Sequence, residues 1–125
     1  MSADFLLPDD KGFLAGIGYD WNYEEEAGKR GLIIQNYRLP AGYSPEQSDF
    51  MLLIPANYPM DAIDMFYFDP GIARADGLSI NALEYHEHFG RTWQRWSRHY
   101  SWQPGVHSVA THVCYVGNQL EFELE

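Results

Sequence analysis

Ser97-Arg98-His99 places a hydroxyl nucleophile, a cation and an imidazole in three consecutive residues. Acyl transfer needs such a set: an attacking atom, a base to take its proton, and donors to steady the tetrahedral oxyanion. Ser97 and His99 are two apart, so an extended segment points both to one side, whereas a helix splays them. Thr92 is a second candidate hydroxyl, and Arg91 and Arg95 are further cationic donors. His86 and His88 offer alternative bases. They also invite a metal site with His99, Glu84, Glu87, His107 or His112, but a metal needs three or four convergent ligands and a two-apart pair is ordinarily packing. No metal and no cofactor is expected.

These candidates sit in or beside the stretch Gly90–Gly105, which carries three of the four Trp and three of the eight Lys and Arg in a chain of net charge -10. Trp, Tyr and Arg dominate interface hot spots, so Trp93, Arg95 and Trp96 are read as partner-binding residues. The competing reading places both indoles in the core with the arginines stacked outside. Cys114 is the chain's one cysteine, so no intramolecular disulfide forms. On the edge of a valine stripe it reads as a buried, inert thiol, with a nucleophilic role as the alternative. His107 and His112 read as surface or partly buried polar residues.

The elements that must hold these residues follow from pattern. With 125 residues, 46% of them hydrophobic, the chain fits one domain spanning 1–125. No apolar run reaches the roughly 20 residues needed to span a bilayer, and no basic-then-apolar leader is present, so a cytoplasmic protein is expected. Eighteen acidic against eight basic residues disfavour nucleic acid and anionic lipid as partners. Through Gly18, Pro8, Gly12, Gly16 and Gly18 predict loop with a short turn of helix at most. Runs at 31–40, 50–54 and 64–68 end at turn residues and predict strands of an antiparallel meander, with a further one at 19–24. Beyond Pro104, residues Val106, Val109, Ala110, Val113, Val116 and Leu120 recur at helical spacing, predicting a core-packing helix with Pro in its first turn. The acidic runs 24–26 and 121–125 read as solvated faces, and Phe5, Leu6 and Leu7 as apolar residues that could dock a partner.

Strands, an aromatic loop and then a helix make an α+β domain with one helix covering an antiparallel meander. In that frame Ile54-Pro55-Ala56-Asn57-Tyr58-Pro59, the following Phe66, and Trp102-Gln103-Pro104 resemble the Tyr-Pro and Trp-x-Pro signatures of the ubiquitin-conjugating fold. Together with Leu39–Tyr43, Asp64-Met65-Phe66 and Gly90–His99, the pattern resembles a bacterial subgroup, the prokaryotic ubiquitin-conjugating-like family E. The resemblance implies a ubiquitin-conjugating-like fold and a pathway with three partners: an adenylating activating enzyme, a ubiquitin-like protein and a deconjugating peptidase. It also implies a thioester cysteine about eight residues before Trp102, where this chain has Gln94, and a His-Pro-Asn near His86-Glu87-His88 that is missing. Two roles within that family are then open, beside a metal-using hydrolase built on His86, His88 and His99. The domain either carries an acyl group as an oxyester, with Ser97 as nucleophile, His99 as base and Arg98 as oxyanion group, or it is an inactive scaffold gripping its partners through Trp93, Arg95 and Trp96.

Overall fold

The computed structural model describes residues 4–125. Along the chain come α1 (Pro8–Gly16), β1 (Trp21–Glu26), β2 (Lys29–Arg38), β3 (Tyr43–Ser44), β4 (Gln47–Ile54), β5 (Phe66–Asp69), β6 (Ala73–Arg74), β7 (Leu83–His88), β8 (Arg91–Trp96) and α2 (Val109–Phe122). Six strands form an antiparallel sheet in the order β1-β2-β4-β5-β8-β7, while β3 and β6 pair separately. One face of the large sheet supplies Leu32, Ile34, Phe50, Phe66, Phe68 and Trp96 to a core completed by Leu14 of α1 and by Val109, Val113, Val116 and Leu120 of α2. The strands expected at 31–40, 50–54 and 64–68, and the further one at 19–24, correspond to β2, β4, β5 and β1.

Four expectations need correction. The segment before Gly18 holds a nine-residue helix where loop was expected. Gly12 and Gly16 lower its intrinsic propensity, but Pro8 starts it, acidic residues occupy its first turn, and buried Leu14 anchors it. Leu6 is buried rather than free to dock a partner, and Phe5 packs edge-on against Tyr23 at 5.3 Å.

Residues 91–96 are a strand rather than a loop, joined to β7 by the two-residue turn Phe89-Gly90. Both turn residues have positive φ, 56° and 73°, the geometry whose twist suits a tight hairpin. The Phe89 ring then lies over Gly31, where an added Cβ would be 2.4 Å from Phe89 Cε2. In β8, Trp93 and Trp96 are three apart and face opposite sides of the sheet. Trp96 stacks on Phe66 at 5.4 Å in the helix-covered core. Trp93 joins Ile33, Met51 and Tyr67 in a smaller cluster on the outer face, roofed by Phe89 and Leu53.

The C-terminal helix starts at Val109 instead of Pro104. Gly105 turns left-handed at φ 84°, and Ser108 caps the helix, its hydroxyl accepting the Thr111 N–H. Val106 therefore leaves the core stripe and is exposed, whereas Val109, Val113, Val116 and Leu120 keep it.

The two helices meet through one hydroxyl. Tyr58 donates to Asp10 Oδ2 at 2.6 Å and accepts the Val109 N–H at 2.8 Å, while the same Asp10 oxygen accepts the Leu7 N–H at 3.0 Å. Burial and the Asp10 carboxylate push the Tyr58 phenol well above its ordinary pKa, so it stays a donor. Next to it, Trp102 donates to the Pro59 carbonyl at 2.9 Å. Tyr-Pro and Trp-x-Pro are thus halves of one packed unit that seats the start of α2.

Tyr58→Phe strips a buried carboxylate and a helix N-terminus of a partner at once, so its cost is expected at about 1–3 kcal/mol in urea unfolding. Gly31→Ala, by overpacking Phe89, is expected to cost about 1–3 kcal/mol as well. In a double-mutant cycle Phe89→Ala should cancel most of that second penalty, because the clash disappears with the ring.

Candidate functional site

The candidate site is built around the corner Asp64-Met65, where the chain enters β5. Met65 holds φ 62°, a left-handed conformation that costs a non-glycine residue on the order of 1 kcal/mol and persists when its surroundings over-determine it. Three groups fix this corner. His112 of α2 lies 2.9 Å through Nε2 from the Met65 carbonyl, the Ser97 hydroxyl is 4.0 Å from the Met65 sulfur, and His99 Nδ1 is 2.7 Å from Asp64 Oδ1.

Tautomers follow from what the partners can do. A carbonyl only accepts, so His112 carries its hydrogen on Nε2, and its Nδ1 accepts from the Tyr100 hydroxyl at 2.7 Å. Burial pushes the Tyr100 phenol up to about 12, which keeps it protonated as the donor. His112 has no exposed surface, contrary to the expectation of a surface or partly buried residue, and burial holds its pKa below the ordinary 6.5 despite the Met65 hydrogen bond. His99 donates from Nδ1 to the Asp64 carboxylate, leaving Nε2 with a lone pair directed away from the pair. Both side chains are more than half exposed, so water screens the interaction while the geometry still orients the ring.

Each sequence candidate can now be located. Ser97 and His99 follow β8 in irregular chain, where the Arg98 N–H turns back onto the Trp96 carbonyl at 3.1 Å; they lie beside Met65 and Asp64 respectively, and the serine hydroxyl bonds the sulfur rather than the imidazole. Arg98 is not free to serve as an oxyanion group: it grips Glu123 bidentately at 2.6 and 2.7 Å, donates to Asn81 O and lies 4.9 Å over the Trp96 ring. Glu123 is correspondingly no solvated tail residue. Burial alone would raise its pKa, but bonds from Arg98 and Gln119 hold it below the usual range.

Trp93 and Trp96 each have 0% exposure, so neither indole presents a surface to a partner. Large aromatic strand residues are the cheapest filling for both faces of a sheet, and that outweighs their frequency at interfaces. Arg95 keeps some exposure and is ion-paired with Glu84, whereas Thr92 is exposed on β8 opposite Glu87. His86 and His88 stack at 6.4 Å on β7, remote in register from the corner, and among the described residues no three His, Cys, Asp or Glu converge as metal ligands.

Cys114 is exposed, which corrects the buried reading. It lies on the flank of α2 away from the valine stripe and lines a groove of about 670 Å³ with Phe13, Tyr100, Val106, His107 and Tyr115. Sequence reasoning missed Asp64, Met65 and Tyr100 as site residues. An acidic residue opening a strand was the one available signal, since the long-range partners that make it notable are 35 residues away.

A sequence model described as prokaryotic E2 family E matches residues 6–123, essentially the whole chain. The chain belongs to prokaryotic E2 family E. The antiparallel sheet backed by a C-terminal helix is the E2-like fold that the sequence resemblance implied. This E2-like domain matches neither a curated protein nor a solved structure. Among its described residues, no helix is long and apolar enough to cross a membrane.

The buried His112 makes stability of the E2-like domain depend on pH. Because its folded pKa lies below the unfolded one, the folded state keeps its full advantage above about pH 6.5. As pH falls below that value, the unfolded chain takes up a proton that the folded chain refuses. Urea midpoints should therefore decline from pH 7.5 towards about 5.5. His88, lowered by burial and by Lys29, contributes in the same sense, so the diagnostic result is a shallower decline in His112→Gln than in the wild type.

Proposed function

We propose that this E2-like domain receives the activated C-terminus of a ubiquitin-like protein from an adenylating activating enzyme, holding it as an oxyester on Ser97. The observation that carries the reading is the oriented His99–Asp64 pair, two residues from Ser97 on the segment leading into Trp102-Gln103-Pro104. In this family member no cysteine occupies the position before Trp-x-Pro.

The chemistry balances as follows. Ser97 Oγ attacks the activated carbonyl, its proton passes to His99 Nε2, a C–O ester bond forms, and the bond from carbonyl carbon to the activating group breaks, releasing AMP or an enzyme thiolate. Asp64 stabilises the imidazolium that results. In this reading the Ser97 hydroxyl gives up the Met65 sulfur, a weak acceptor, for the imidazole. Arg98 acts here as a brace between β8 and α2 rather than as a donor to the oxyanion. An ester is less reactive than a thioester, so onward transfer asks more of the attacking group, and the deconjugating peptidase of such a pathway would meet its product.

Exposure of Cys114 favours one second reading, in which the thiol on the α2 groove is the acyl acceptor. The scaffold reading, with the domain gripping its partners without bonding to them, would have to use surfaces other than Trp93 and Trp96. Intact mass after incubation with the activating enzyme, ubiquitin-like protein and ATP separates all three. An adduct that survives thiol reductant, falls to hydroxylamine or mild base and is lost in Ser97→Ala is expected. In His99→Ala its formation should slow by roughly 10²–10⁴-fold. A reductant-labile adduct lost in Cys114→Ser would transfer the role to the thiol, and a stable complex with no adduct would leave the domain a scaffold.

A further inference from the structure

We propose a second binding site, for the terminal carboxylate of a peptide, in the cleft on the outer sheet face between the β1–β2 turn and the Ala62–Met65 segment. This cleft has a volume of about 360 Å³, a rim of Lys29, Arg30 and Arg95, and an apolar floor that includes Leu53, Met65 and Tyr67. Three of the chain's eight cations thus converge on one cavity in a protein of net charge -10.

Unused donor capacity sets these three apart from the fully ion-paired arginines. Arg74 pairs with Asp76, Arg91 with Asp49 and Asp69, and Arg98 with Glu123. Among the described residues Lys29 and Arg30 enter no ion pair: Lys29 Nζ lies 3.5 Å from His88 Nδ1, and Arg30 gives one hydrogen to the Ala56 carbonyl at 3.3 Å and covers the Phe5 ring at 5.0 Å. Arg95 pairs with Glu84 through one terminal nitrogen, but its Nε is buried with no partner. A buried N–H without an acceptor is destabilising, and a bound oxyanion that reaches it relieves that cost.

The occupant's chemistry follows from the lining. Asp64 is the carboxylate on the cleft wall, and it repels a phosphate dianion more than a carboxylate monoanion. The Leu53, Met65 and Tyr67 floor gives an organic body something to cover, which an inorganic ion lacks. A peptide terminus seated there shares the Asp64 wall with the His99 pair, yet the site requires no acyl transfer by the domain.

The test is an NMR titration of the whole chain that follows the Arg95 Nε–H resonance. Its probes are an N-acetylated Leu-Ala-Ala peptide with a free carboxylate, the same peptide amidated, and inorganic phosphate. The acid should shift Arg95 Nε–H together with the amides of Lys29, Arg30 and Ala62, and the amidated peptide should not. Binding should weaken about tenfold in the Lys29→Gln/Arg30→Gln variant, whose remaining spectrum should match the wild type, and should weaken further with added salt. Equal shifts from acid and amide, tighter binding of phosphate than of the peptide acid, or no shift at millimolar peptide would each overturn the proposal.

Discussion

The hydrogen bond from the buried His112 Nε2 to the Met65 carbonyl, 2.9 Å long, is the constraint on which the site depends. It ties the one long helix to a corner of the sheet where the backbone adopts a left-handed turn that methionine does not favour. Because the carbonyl dictates which imidazole nitrogen is protonated, the other nitrogen must find a donor, and Tyr100 supplies it. Tyr100 in turn directs the chain between β8 and α2, so that His99, one residue earlier, reaches Asp64, one residue before Met65. A single buried contact thereby orders a surface pair.

That contact is possible only because α2 is seated correctly, and its seat is the Tyr58 hydroxyl. One phenol oxygen takes the first amide of α2 and gives its hydrogen to Asp10 at the start of α1. Arg98 supplies a second brace, joining the end of β8 to the last turn of α2 through Glu123. Chemistry-bearing residue types are therefore divided between bracing the frame and facing the surface. His112, Arg98 and Tyr58 hold the frame, while His99 and Ser97 remain at the surface.

The sheet and the helix were legible because period-2 runs and a valine stripe survive in the sequence whatever their neighbours do. Most of β1, β2, β4 and β5 could be read that way. The β7–β8 hairpin could not. Its strands carry His, Glu, Arg and Thr between their aromatics, and its turn begins with Phe89, a residue that no turn rule favours. What decides its conformation is Gly31, about sixty residues earlier, whose missing side chain leaves room for the Phe89 ring. The same long-range logic hid α1, which depends on Tyr58, and reversed Cys114, which lies one position beyond the buried Val113 and so turns outward. Of the corner, the family was readable, and Ser97 and His99 could be put forward as candidates. Their orienting partner Asp64 was not, since no spacing rule links positions 35 apart.

The most direct measurement is the tautomeric state of the two histidines by two-bond proton–nitrogen correlation at neutral pH. The account predicts His112 neutral with its hydrogen on Nε2, and neutral His99 with its hydrogen on Nδ1, the tautomer that the Asp64 carboxylate selects. His112 with its hydrogen on Nδ1 would break the link to Met65, and neutral His99 with its hydrogen on Nε2 would remove the oriented base on which the proposed chemistry stands.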